Sequence, residues 1–132
     1  MSEVRGIRGA IRVNENTRGS MLSATTELLR KMLLENKISP DDIASIFFTA
    51  TDDLNAEYPA YAAREMGLSS VPLLCAREMN VPGSMKRLIR ILIHVNTNRS
   101  KDEIKHQYLG ETSRLRPDIS TGGNNDDCHN EN

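Results

Sequence analysis

Large aromatic rings are almost missing from this chain: it has no tryptophan, two phenylalanines and three tyrosines. Its core must therefore be aliphatic, built from Leu, Ile, Val and Met. Long apolar runs are missing too. Nothing approaches the roughly 18 consecutive residues that cross a bilayer, and the first residues lack a secretory-leader pattern. Neither sign of charge dominates: the net charge is -1 and the pI is near 6.3, which argues against nucleic acid or an anionic membrane as partner. Cysteine is scarce, with Cys75 in an apolar run and Cys128 in a polar tail, so no disulfide is expected and a reducing cytoplasm fits. The familiar catalytic signatures are absent as well. There is no phosphate-binding glycine loop, no G-x-S-x-G turn and no dinucleotide fingerprint. His94, His106 and His129 lack metal-ligand spacing, and Cys128-His129 reads as incidental polar sequence, so no metal site is expected.

What remains is one domain's worth of short, alternating elements in 132 residues. Val4 to Val13 reads as a strand. A helix capped by Thr17 or Ser20 follows, with Leu22, Thr25, Leu29, Met32 and Leu33 at helical spacing up to Asn36. Ser39-Pro40-Asp41-Asp42 starts a single helical turn before the strand Ile43 to Ala50. A polar loop from Thr51 leads to a helix from Pro59 to Met66, stopped by Gly67, and then to a third strand from Val71 to Cys75. After a loop, Arg87 to Val95 is the most strand-like run. Ser100-Lys101-Asp102-Glu103 is a capping box whose helix would carry Ile104, Tyr108 and Leu109, and Thr112 to Arg116 would be extended. The pattern predicts an α+β fold: one domain over residues 1–120, with a mixed β-sheet and helices on one side. Residues 121–132 form a polar tail almost without aliphatic side chains, expected to be disordered. The uncovered face of such a sheet calls for copies of the same chain.

Arg90 is the informative residue. Ile89, Ile91, Ile93 and Val95 alternate onto one face of their strand, and Leu88, Arg90 and Leu92 share the other. A guanidinium between two leucines must be paired or face a cavity. An ion pair internal to the fold would satisfy that strand alone equally well. Arg5 and Arg8 point to opposite sides of the first strand, so one of them can share a site while the other is solvated. Arg12 shares the face of Arg8, near the strand end. Cys75 alone reads as a small core residue, Glu78 as a surface carboxylate and Tyr108 as a packed ring with a wet hydroxyl.

Together these residues form a recognisable set. Val4-Arg5-Gly6-Ile7-Arg8-Gly9-Ala10, Thr51-Asp52-Asp53-Leu54-Asn55-Ala56 with Tyr58-Pro59-Ala60, Val71-Pro72 through Cys75, Glu78-Met79 and Arg90 resemble the AroH-class chorismate mutases. So do Asp102-Glu103-Ile104-Lys105-His106 with Tyr108-Leu109, and Leu115-Arg116-Pro117-Asp118. The resemblance runs in order from about Val4 to Ser120.

It implies a homotrimeric pseudo α/β-barrel with sites at the subunit interfaces, no cofactor, and conversion of chorismate to prephenate in aromatic amino-acid biosynthesis. That rearrangement breaks a C–O bond and forms a C–C bond with no proton transfer and no nucleophile. Fixed cations and hydrogen bonds then suffice. The resemblance assigns catalytic roles to Arg90, Glu78 and Cys75: Arg90 at the ether oxygen, the other two near the ring hydroxyl. Arg8 and Tyr108 hold a carboxylate. Tyr58, Ala60 and Arg64, with Leu74, form a wall, while Leu115 and Arg116 close the site. Tyr61 stands where the family often has Lys, Tyr58 where Phe is common, and Gly110 to Arg114 is more polar than usual. The competing reading is a trimeric small-anion binding or regulatory protein without catalysis.

Overall fold

Residues Leu88–Thr97 (β4) form the middle strand of a five-stranded sheet in the computed structural model, which describes residues 2–118. Its neighbours β1 (Glu3–Arg12) and β2 (Ile43–Ala50) both run antiparallel to it. β3 (Leu73–Arg77) and the short β5 (Gln107–Tyr108) add parallel edges to β2 and β1, giving the order β3-β2-β4-β1-β5. Helices α1 (Arg18–Glu35) and α2 (Ala60–Glu65) pack on one side. The mixed sheet with a one-sided helical layer is the α+β arrangement that the sequence pattern predicts. The tail, with Cys128 and His129, lies outside the described residues.

Period-two alternation sorts the strands into two faces. Ile7, Ile46, Phe48, Ile89, Ile91, Ile93 and Val95 turn toward α1, none more than 2% exposed. They meet Met21, Leu28, Leu29 and Met32, which recur along α1 at three- and four-residue spacing and are fully buried. Gly9 belongs to this face. The space its side chain would need is filled by Met32 Sδ and Cε and by Leu28 Cδ1, so glycine lets α1 lie close to β1.

The other face carries Arg8, Ala10 and Arg12 on β1, aligned with Leu92, Arg90 and Leu88 on β4. Thr49 and Phe47 of β2 continue it, and Phe47 aligns with Leu74 of β3. Ala10, Leu88 and Tyr108 form a small cluster there with Met85 and Leu115. Phe47, Leu74 and Leu92 stay 39%, 55% and 37% exposed. Within one chain the isoleucine face of β4 is fully covered, whereas the other face is covered at its Leu88 end and open at Leu92.

Three boundaries differ from the sequence reading. The capping box is present, with Ser100 N donating to Glu103 Oε1 at 2.7 Å, yet the helix it starts is one turn, Lys101–Glu103. Buried Asn36 intercepts the chain, donating to Lys105 O (2.9 Å) and accepting from Lys105 N (2.8 Å). Those bonds replace the ones a continuing helix would make, and Tyr108 lies on a strand instead of a helix. Thr112 to Arg116 is not extended: Gly110–Arg114 is a 3₁₀ segment in which buried Thr112 Oγ1 donates to Ala10 O and Leu109 O. β3 begins two residues later than expected because Val71 closes a turn on Leu68 O, and Pro72 has no N–H for a ladder. Cys75 is therefore central in β3.

Gly9→Ala tests the close approach of α1. Met32 and Leu28 are both fully buried and would have to shift, so the added methyl should cost about 1–3 kcal/mol. Urea unfolding at fixed protein concentration measures it; an unchanged midpoint would show that α1 does not bear on β1 at this point.

Candidate functional site

Arg90 lies on the open face between Leu88 and Leu92, with Thr49 on β2 and Ala10 on β1 as its cross-strand neighbours. Glu78 follows β3 and is brought back by its own N–H donating to Ala50 O at 2.9 Å. Its Oε2 accepts from Thr49 Oγ1 (2.7 Å) and lies 3.0 Å from Arg90 Nε. The Arg90 Nε–H does not aim at that oxygen and is buried without an acceptor among the described residues. The pair is thus a Coulombic contact that orients the guanidinium without using up its donors. Some 35% of the Arg90 side chain remains accessible, against 20% for Glu78. A buried donor left without a partner costs about 1–3 kcal/mol, a cost that binding sites tolerate because a ligand removes it.

A second cationic group flanks this one along β1. Arg8 is exposed on the same face, beside β5. Its backbone N–H donates to His106 Nδ1 at 2.9 Å. Tyr108, 7% exposed, sits opposite Ala10, and Leu115 packs against its cluster. Arg116 reaches back over this region and grips Asp118 in a two-bond fork, Nε to Oδ1 at 3.0 Å and Nη2 to Oδ2 at 2.8 Å. The Arg116 guanidinium holds the exposed Asp118 carboxyl below its ordinary range, with Arg8 adding to the effect. Arg5 is committed elsewhere, to Arg99 O and Glu3. Arg12 is paired with Glu111 at 3.1 Å.

Other predicted residues lie apart from this constellation. Cys75 aligns with Phe48, whose ring is buried on the helical side, so its thiol packs with the core and away from Glu78 and Arg90. Burial pushes the thiol pKa up, although the Ala60 backbone N–H and the Arg64 charge pull the other way. A raised thiol stays protonated and is a poor nucleophile at neutral pH. Ala60 is buried on α2, Arg64 is exposed, and Tyr58 precedes the helix at 72% exposure. Leu74 is exposed on the sheet's open face at its β3 edge. Tyr61 lies between two guanidinia, Arg18 at 5.1 Å and Arg64 at 5.8 Å from its ring centroid. Cation–π contact favours such placement. The neighbourhood of Tyr61 is therefore cationic despite the missing lysine, with Arg18 also 3.2 Å from Glu57.

One chain thus presents two separate groups of the residues singled out in the sequence. Arg8, Glu78, Arg90, Tyr108, Leu115 and Arg116 gather on the open sheet face. Tyr58, Ala60, Arg64 and Cys75 gather on the helical side near the β3 edge. Sequence reasoning missed Thr49, His106 and Arg18. The hydroxyl of Thr49 in a mostly apolar strand, and a histidine two residues before Tyr108, were the available signals. Among the described residues no three His, Cys, Asp or Glu side chains lie close enough to hold a metal ion.

The loop between β2 and α2 is tied down at both ends. Asn16 Oδ1 accepts from Asn55 N and Ala56 N at 3.0 and 3.1 Å. Asp53 accepts from Thr51 Oγ1 (2.6 Å) and from Arg87 N (3.0 Å to Oδ2), while Thr51 Oγ1 accepts from Leu88 N (3.0 Å). Arg87 has φ 53°, a left-handed conformation that this carboxylate clamp stabilises just before β4.

The family model described as chorismate mutase type I matches residues 4–119. A curated chorismate mutase AroH from Thermus thermophilus is 51% identical over 119 residues, covering 89% of this chain and 98% of that protein. Its counterpart from Bacillus subtilis (strain 168) is 42% identical over 118 residues, covering 89% and 93%. A solved chorismate mutase from Clostridium thermocellum superposes with a TM-score of 0.81 at 46% identity, covering 83% of this chain and 97% of that one.

Asp53 gives the loop a pH dependence. Burial raises its pKa, but hydrogen bonds from Thr51 and from the Asp53 and Arg87 backbone, with the Lys86 charge, outweigh that and lower it below 3.8. A depressed folded value means that the stabilisation is complete above the unfolded value and disappears as pH falls through the folded one. Asp53→Asn should therefore unfold more easily than wild type at pH 7, and the gap should close as pH drops below the ordinary aspartate range. A gap independent of pH in urea titrations would contradict the clamp.

Proposed function

The chain belongs to the chorismate mutase type I family and isomerises chorismate to prephenate; we propose that it does so in a site completed between copies, with Arg90 as the principal catalytic group. The observation that carries this reading is the Arg90 guanidinium, held by Glu78 with part of its donor capacity unspent, on a face where Arg8 and Arg116 supply further positive charge. Chorismate is a flexible dianion. Two carboxylates can be met by Arg8 with Tyr108 and by the remaining cations, which selects the compact conformer needed for reaction. As the C–O bond breaks and the C–C bond forms, charge grows on the ether oxygen, and a preorganised guanidinium there lowers the barrier. No proton moves, no nucleophile adds and no cofactor is required.

Glu78 orients Arg90 and reads the ring hydroxyl. Cys75, kept as a thiol by its burial, is a hydrogen-bonding group from the other half-site, not an attacking one. Tyr58, Ala60 and Arg64 provide the wall, Leu74 an apolar margin, and Leu115 with Arg116 the closing segment. Because these two sets occupy different sides of a single chain, we assign a homotrimer in which the helical side of one copy meets the open face of the next. The exposed Phe47, Leu74 and Leu92 support that packing. No helix among the described residues is long and apolar enough to cross a membrane. We place the enzyme in the cytoplasm, in the shikimate-derived route to phenylalanine and tyrosine, with chorismate and prephenate as its small-molecule partners. A silent anion binder would not need the Thr49–Glu78–Arg90 arrangement.

The test is the disappearance of chorismate ultraviolet absorbance with purified protein, followed by variants checked for folding. Arg90→Ala should lower kcat by on the order of 10²–10³ or more. Arg90→Lys should be nearly as damaging, because an ammonium lacks the planar fork. Arg8→Ala should raise KM more than it lowers kcat, since its carboxylate partner is charged throughout. An Arg90→Ala enzyme with wild-type kcat would make Arg90 an anchor only.

A further inference from the structure

His106 is used by none of the chemistry above, yet it holds the backbone of Arg8. Leu109 N–H donates to Ala10 O at 3.0 Å, so the backbone groups of Ala10 turn toward β5. Arg8, two residues earlier in the same strand, turns its N–H the same way. The β1–β5 pairing covers only Gly9 with Gln107 and Ala10 with Tyr108, so the ladder has ended before it reaches Arg8. The His106 ring closes the gap, its Nδ1 accepting the Arg8 N–H at 2.9 Å. Only a neutral ring with its proton on Nε2 can do this, because an imidazolium would set two donors face to face.

We propose that His106 is the positioning residue for Arg8: in its neutral Nε2–H form it fixes the strand segment from which the substrate-binding guanidinium projects, and on protonation it releases it. The surroundings favour the neutral form. Half-burial lowers the His106 pKa below 6.5, and the guanidinium charges of Arg8 on β1 and Arg116 on the C-terminal segment lower it further. Asp118 belongs to the same group of charges but is already committed to Arg116. From its own segment, Lys105 is the adjacent cation and Tyr108 lies two residues on. The inference rests on the chorismate mutase reading, because Arg8 must bind a carboxylate for its position to matter.

The experiment compares wild type, His106→Ala and His106→Asn in chorismate turnover across pH, with urea midpoints recorded for each. Asn places an amide oxygen at the same bond distance along the side chain as Nδ1, and it does not titrate. His106→Ala should raise KM about three- to tenfold while kcat stays within about twofold, the size expected for one hydrogen bond acting on binding. His106→Asn should recover most of that loss. Wild-type KM should rise as pH falls through the His106 value below 6.5, and His106→Asn should lack that limb. An unchanged KM in His106→Ala, no recovery in His106→Asn, or a wild-type KM that falls on acidification would each overturn the proposal. Absence of wild-type turnover would instead overturn the functional reading on which it rests.

Discussion

With Ile89, Ile91, Ile93 and Val95 all committed to the α1 interface, the two-residue period of β4 leaves Arg90 only the opposite face. A one-residue slip of that strand would put a guanidinium against Met21 and Leu28, at a cost no single small domain can absorb. The register is thus fixed by the aliphatic core, and the position of the cation follows from it. Thr49 and Ala10 are set opposite Arg90 by the same register, and Glu78 is drawn over by the parallel pairing of β2 with β3. The arrangement around Arg90, to which we assign the catalysis, is thus set by core packing.

Rigidity matters because the rearrangement offers the protein few other levers. A reaction without proton transfer or covalent intermediate can be accelerated only by selecting a conformer and by placing fixed charge where charge develops. The arginine-rich open face proposed as the site, with one carboxylate beside Arg90 and another occupied by Arg116, is suited to that requirement. The raised Cys75 thiol is consistent with it, since nothing in the site calls for a thiolate.

Strands β1, β2 and β4 and helix α1 were legible because their periodicity is strong: the isoleucine face of β4 and the α1 stripe through Leu29 and Met32 appear in the structure as read. The segment after Ser100 was misread because a valid capping box signals only where a helix begins. What ends it is buried Asn36, nearly seventy residues away in sequence, reaching the Lys105 backbone. The placement of Arg90 on the open face was legible from the alternation of its strand, and the Glu78 contact that accompanies it joins two residues the sequence reading had singled out. The separation of Cys75 from Glu78 was missed because the sequence reading ended the strand at Cys75, whereas β3 continues to Arg77 and its alternation turns Cys75 toward the core. Thr49 and His106 were invisible for a different reason: their importance lies in partners that only the sheet pairing brings close.

Two half-sites on different sides of one chain are the central claim, and subunit mixing tests it most directly. Arg90→Ala removes the cation of the open-face half, and Arg64→Ala removes that of the α2 half. Each purified variant is nearly inactive alone if both halves are needed. Dissociating, mixing in equal amounts and reassembling them should restore about a quarter of the sites, since in a ring assembled at random one interface in four joins two intact halves. Recovery of activity toward that fraction is the predicted result. A mixture no more active than its two components would contradict the account, placing a complete site within each chain.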